Sequence, residues 1–120
     1  MSRDHRKLHV FTEADELIAR VYAETATFPP EERFGLCTQI RRAAISVATN
    51  IVEGCARRST KEYLQFVNIA TGSAAETLYL LELSHRLGFL KIEAYTRMFP
   101  KYTQLLRGLK KLLNSLDGEP

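Results

Sequence analysis

One unbroken run constrains this chain most: Gln39-Ile-Arg-Arg-Ala-Ala-Ile-Ser-Val-Ala-Thr-Asn-Ile-Val-Glu-Gly54. Read at helical pitch, its apolar side is built mainly from small residues, which let a neighbouring backbone come near. Arg42, Ser46, Asn50 and Glu53 recur every three or four positions and draw a polar line along one flank. Close packing beside a polar stripe describes a helix that meets partners on more than one side. It does not describe a catalytic cleft.

The rest of the chain carries the same period. Phe11, Ala14, Ile18, Val21, Thr25 and Phe28 step by three and four, with Thr12 and Asp15 placed to cap a first helix that ends at Pro29 and Pro30. A second helix is expected from about Pro30 to Gly54. Proline suits its first position, Glu31 and Glu32 suit the positive end of its dipole, and Gly54 is expected to stop it. Its seam is Cys37, Ile40, Ala44, Val47, Ile51 and Gly54. Arg57-Arg-Ser-Thr-Lys-Glu62 then supplies a short basic turn, with Ser59 and Glu62 spaced as a capping box. The third helix presents Tyr63, Phe66, Val67, Ala70, Ala74, Leu78 and Leu81 on one side. Gly88 closes it, with Phe89 folding back on Leu83 in a Schellman motif.

The last helix, from about Ile92 to Leu116, has the strictest pattern. Ile92, Tyr95, Phe99, Tyr102, Leu106, Leu109, Leu113 and Leu116 form a heptad seam, with Met98, Leu105 and Leu112 in a second row beside it. Pro100 is expected to kink or split this helix near Phe99. A stripe wider than one neighbour requires points equally to subunit contacts or to a large leucine-rich core. No segment alternates as a half-buried strand does. Short connectors make consecutive helices antiparallel, so the reading is all-α: an up-down-up-down four-helix bundle. Residues 1–120 form one domain with an ordered core of about 11–116 and flexible tails at 1–9 and 117–120.

Charge is uneven. Between Arg86 and Lys111 lie seven basic residues and one acid, Glu93, whereas Glu13, Asp15, Glu16 and Glu24 make the first helix acidic. Such asymmetry is compatible with nucleic acid or an acidic partner, but on charge alone a solvated basic face is the favoured reading. The candidates for contact with phosphates are Arg57, Arg58 and Lys61 at the turn, with Arg97, Lys101, Arg107, Lys110 and Lys111 on the last helix. Tyr95, Phe99 and Tyr102 interleave with these cations, but core packing claims them ahead of base stacking.

A second set of polar residues reads as a structural network or subunit contact: Arg41, Arg42, Asn50, Glu53, Glu62 and Glu76. With the second and third helices paired across the turn, Arg41 and Arg42 fall within reach of Glu76. Glu53 faces the free amides of Lys61 and Glu62.

Catalysis finds no support. Cys37 and Cys55, if on one helix, are about 27 Å apart and cannot bridge, because a disulfide needs Cα atoms within about 7 Å. Neither has a histidine beside it to activate a nucleophile. His5 and His9 lack a third ligand, and the Glu-x-x-His pairs of di-iron bundles are absent, so neither metal nor other cofactor is expected. Free thiols, no apolar h-region at the start and no run of roughly 20 apolar residues point to a soluble cytoplasmic protein with no membrane partner.

Three segments, Gln39–Gly54, Arg57–Glu62 and Ile69-Ala-Thr-Gly-Ser-Ala-Ala-Glu76, resemble the bacterial four-helix-bundle family of proteins encoded in intervening sequences of large-subunit ribosomal RNA genes. The matching positions are Arg41, Arg42, Asn50, Glu53, Gly54, Arg58, Ser59, Glu62, Gly72, Ser73 and Glu76. Pro100, Val52 and Cys55 depart from the family's usual pattern. The resemblance implies a ring-like homopentamer. It also implies kinship with the accessory variability protein of diversity-generating retroelements, which binds nucleic acid and a reverse transcriptase through a basic surface. The expectation is a non-enzymatic oligomeric scaffold binding RNA or DNA electrostatically. The alternative is a protein-binding adaptor, such as a polymerase accessory subunit, without direct nucleic-acid contact.

Overall fold

The computed structural model describes residues 3–116. It contains four α-helices and, among the described residues, no strand: α1 (His9–Thr25), α2 (Thr38–Cys55), α3 (Thr60–Arg86) and α4 (Ile92–Leu116). Paired residues count in opposite senses along neighbouring helices. Gln39 meets Glu76 and Ser46 meets Ser73, while Gly54 lies against Tyr63 and Phe66. On the other side Val10 touches Gly108, and Glu24 reaches Arg97.

The α2 seam is the expected one. Cys37, Ile40, Ala44, Val47, Ile51 and Gly54 are all buried, together with Ala43, Ala48 and Cys55. Its start is not as expected. Pro30–Glu32 forms a 3-10 turn and Arg33–Cys37 a wide turn in which Gly35 leaves helical geometry (φ −113°, ψ −105°). The continuous helix therefore begins at Thr38, because glycine resists helix propagation and the two prolines end α1 before it.

Gly54 also serves a different end from the helix stop expected of it. Its φ is not positive, and α2 runs through it to Cys55. A Cβ here would lie 2.9 Å from the Phe66 Cβ and 3.2 Å from the Tyr63 carbonyl oxygen. Absence of a side chain lets α2 and α3 approach closely. The left-handed glycine is Gly88 (φ 84°), where Phe89 N–H donates to the Ser84 carbonyl at 2.9 Å and Gly88 N–H to that of His85 at 3.0 Å. That is the Schellman arrangement expected at the end of α3.

In α4 the core face is rotated from the heptad seam. Ala94, Met98, Tyr102, Leu105 and Leu109 are buried, whereas Ile92 is 53% and Phe99 36% exposed. Apolar side chains cover so wide an arc that periodicity alone leaves the inward direction open. Tyr95, half-buried, stacks on His85 with ring centroids 4.8 Å apart, and Phe99 leans on Tyr95. Only Tyr102 of the three aromatics joins the core. The expected split at Pro100 does not occur: α4 continues through it. Pro100 and Thr96, whose carbonyl loses its donor, are both exposed, where solvent is available to the unpaired carbonyl.

The α1 stripe is likewise turned, toward Val10, Ala14, Leu17, Val21 and Thr25, with Phe11 and Ile18 half-buried. The helix begins at His9, ahead of Thr12, and Asp4 caps a preceding 3-10 turn at His5–Lys7. Residues 3–8, assigned by the sequence reading to a flexible tail, thus have defined structure, while 117–120 lie outside the described residues. Buried Thr25, Thr77 and Ser84 each donate to a carbonyl one turn back, at 2.7, 2.8 and 2.7 Å. The buried Tyr63 and Tyr102 hydroxyls have no hydrogen-bond partner among the described residues.

Candidate nucleic-acid interface and polar face

The N-terminal segment organises one end of the molecule. Arg3 N–H donates to the Cys55 carbonyl at 2.8 Å, and its guanidinium lies 4.1 Å from the Tyr63 ring centroid and 3.4 Å from Thr60 Oγ1. A cation is thereby held against the last turn of α2, where the helix dipole is negative. The Val10–Gly108 contact brings the final turns of α4 to the same end. Arg57, Arg58 and Lys61 at the α2–α3 turn, Arg107, Lys110 and Lys111 on α4, and Arg6 and Lys7 are all exposed there.

Six of the eight candidate cations therefore converge, and three further basic residues join them. The tail assignment hid Arg3, Arg6 and Lys7, because nothing in a linear reading ties residue 3 to residue 55. Several members are held in place: the Arg57 guanidinium sits 4.6 Å from the Phe66 ring centroid, and Arg6 donates to Asp4 at 3.1 Å. That contact holds the Asp4 carboxyl below its ordinary value. The Ser59 hydroxyl accepts from the Glu62 amide at 3.1 Å and contacts the Glu62 carboxylate at 3.3 Å. Arg107 and Lys111 rim a mostly apolar groove floored by Leu8, Val10, Gly108 and Leu112.

Arg97 and Lys101 are placed elsewhere. Arg97 pairs with Glu24 at 3.6 Å, and Lys101 shares a groove with Glu13 and Glu16. They face the acidic side of α1, so part of their charge is already met.

The polar line of α2 divides between two neighbours. Arg41 turns to α1, donating to Thr25 Oγ1 at 2.8 Å and to the Tyr22 carbonyl at 3.3 Å, with its guanidinium 4.4 Å from the Tyr22 ring centroid. Glu76 instead accepts from Gln39 at 2.8 Å. Ser46 and Ser73 are 2.8 Å apart, and Asn50 donates back to the Ser46 carbonyl at 2.8 Å. Arg42 lines the groove formed by Gln39, Ser46, Ser73 and Glu76. Among the described residues neither Arg42 nor Glu53 makes an ion pair or side-chain hydrogen bond. Glu53 does not reach the α3 amides, because Ser59 has taken that of Glu62.

Both cysteines are free and buried, and burial pushes both thiols above their ordinary value, away from the reactive thiolate. Among the described residues no three His, Cys, Asp or Glu side chains are placed to hold a metal ion, and no helix is long and apolar enough to cross a membrane.

The family described as 23S rRNA-intervening sequence protein matches residues 6–111. A solved structure from Bacteroides thetaiotaomicron, described as a protein of unknown function from the S23 ribosomal protein family, is similar at a TM-score of 0.78 and 26% identity. The likeness covers 87% of this chain and 97% of that one. No curated protein sequence matches.

Proposed function

The chain belongs to the 23S rRNA-intervening sequence protein family, and from that membership we propose a non-enzymatic, homo-oligomeric scaffold that binds RNA or DNA through its basic end. The proposal takes the four helices as an up-down-up-down bundle in the cytoplasm, and the subunit number as five, which is what the family resemblance implies. One observation carries the nucleic-acid reading: Arg57, Arg58, Lys61, Arg107, Lys110 and Lys111 gather at one end, joined by Arg3, Arg6 and Lys7. Fixed cations on a rigid framework attract a polyanion, and each neutralised phosphate releases counterions.

Fluorescence anisotropy with RNA and DNA oligonucleotides at several salt concentrations tests this reading. Affinity is expected to fall steeply with salt, and the triple variant Arg57→Gln, Arg58→Gln, Lys61→Gln to flatten the log–log slope by about 2–3. No binding near 50 mM salt, or a slope unchanged in the variant, overturns it.

A second reading, a protein-binding adaptor, draws on Arg42 and Glu53, two exposed charges on the polar flank of α2 that have no partner among the described residues. A pull-down that survives nuclease treatment and is lost with Arg42→Ala supports it.

A further inference from the structure

The start of α1 and the last turns of α4 leave a groove between them of about 560 Å³, within the roughly 300–1,000 Å³ of small-molecule sites. Its α4 wall is Gln104, Arg107, Gly108, Lys111, Leu112 and Ser115, whose spacing is that of one helix face. From Gln104 to Ser115 the groove runs roughly 16 Å along the axis. Leu8 and Val10 close it from the α1 side, Leu8 half-buried and Val10 buried. Gly108 keeps the floor low. A Cβ there would meet Val10 Cγ1 at 2.9 Å, and a longer side chain would compete with Val10 for the same space.

Charge is distributed unequally across this groove. On the α1 side Glu13 already faces His9 at 3.8 Å. On the α4 side Arg107 and Lys111, four residues apart and therefore neighbours on the helix surface, have no hydrogen bond or ion pair among the described residues. The Ser115 hydroxyl is committed to the Leu112 carbonyl at 3.0 Å. The adjoining groove along the same two helices differs, because Glu13, Glu16, Arg20 and Lys101 bring both signs of charge to it. The end groove alone joins an aliphatic floor to two uncommitted cations on one wall.

Inside the groove a phosphodiester backbone is a poor match for that combination. Its charge repeats along its length, so phosphates would fall on Leu8, Val10 and Leu112 and close to Glu13. Among the described residues no Phe or Tyr lines the groove to stack a base. One negative head followed by an uncharged tail fits both parts. We propose that the α1–α4 groove binds a small aliphatic carboxylate, a single acidic head on a saturated chain of medium length. The Arg107 guanidinium presents donors in the planar fork that a carboxylate accepts in pairs, and Lys111 adds a second charge beside it. The tail lies on Leu8, Val10 and Leu112 and is removed from water. This site does not rest on the nucleic-acid reading and shares with it only Arg107 and Lys111.

Sodium decanoate is the probe, titrated below its micellar concentration into the isotopically labelled full chain and followed by heteronuclear NMR. Saturable shifts are expected at the amides of Val10, Gly108 and Leu112. The dissociation constant is expected to rise at least tenfold when uncharged decanol replaces decanoate, and when decanoate meets the Arg107→Gln/Lys111→Gln protein. Arg86→Gln/Lys91→Gln removes two exposed cations at the opposite end of the molecule and is expected to bind decanoate as wild type does. Acetate, which has the head without the tail, is expected to leave the three amides unmoved. Shifts that do not saturate, that spread over the whole surface, or that persist undiminished in the Arg107→Gln/Lys111→Gln protein overturn the proposal. So does a groove that ignores decanoate and responds at the same amides to phosphatidylglycerol vesicles or to an RNA oligonucleotide, since it would then serve a membrane surface or the nucleic acid.

Discussion

α2 and α4 are both amphipathic, yet only α2 buries the stripe its sequence marks. In α2 the inward side carries Ala43, Ala44, Ala48 and Gly54, and close approach to α3 permits one rotation about the helix axis. In α4 the apolar arc is broad and made of large side chains. Met98, Leu105 and Leu109 turn inward, while Phe99 and Ile92 remain exposed. Small residues fix orientation, because a wrong rotation would force side chains into a neighbouring backbone. Large ones supply buried area in several orientations.

The sharpest way to break this comparison is to truncate the two rows of α4 separately. Leu105 is fully buried and Leu106, the next residue, is half-buried. Leu105→Ala is expected to cost about 2–5 kcal/mol, and Leu106→Ala about 1–2 kcal/mol, measured by chemical denaturation. Equal losses would restore the heptad seam read from sequence and remove the contrast with α2.

A smaller effect separates the two close-packed glycines. At Gly54 the Cβ of alanine would press on the Phe66 Cβ and the Tyr63 carbonyl, both on the backbone or next to it, so neither can yield alone. Gly54→Ala is expected to destabilise by about 1–2 kcal/mol net, the crowding outweighing the better helix propensity. At Gly108 the obstacle is one methyl of Val10, near the start of α1. Gly108→Ala is expected within about 0.5 kcal/mol of wild type, as propensity offsets a small shift of that methyl. A loss at Gly108 as large as that at Gly54 would mean that α1 and α4 are held as tightly as α2 and α3.

These contrasts also mark what was legible in the sequence. Helix number, the α2 seam, the Ser59 cap and the Gly88 closure are local matters, and residue spacing carries them. The rotation of α4 and the true start of α2 depend on what packs opposite and on how Gly35 competes with the helix. The basic end was half legible. Arg57, Arg58 and Lys61 are adjacent in sequence, but their meeting with Arg107, Lys110, Lys111 and Arg3 depends on helices folding back on one another. The partner of Glu76 was misread because Arg41 could reach either neighbouring helix, and the Thr25 hydroxyl offered it an acceptor on α1.

The finest distinction concerns hydroxyls. Thr77 and Ser84 of α3 satisfy theirs on their own helix, one turn back, whereas the phenol of Tyr102 on α4 is too long to do so and is buried without a partner among the described residues. Burial holds that phenol protonated well above its ordinary value of 10.0. A raised folded-state pKa means a contribution to stability that is complete below the unfolded value. It is lost as pH rises above that value toward the folded one. Tyr63 is shifted in the same direction, also by burial, as are the Cys37 and Cys55 thiols, so alkaline unfolding has four such contributors. Tyr102→Phe removes one of them together with an unpaired buried group. It is expected to raise stability at neutral pH by about 1 kcal/mol and to move the alkaline unfolding midpoint to higher pH without abolishing it. Denaturation followed from pH 7 to pH 12 reads both. A loss at neutral pH would mean that the Tyr102 hydroxyl has a partner in solution, and α4 would then match α3 in satisfying every buried hydroxyl but that of Tyr63.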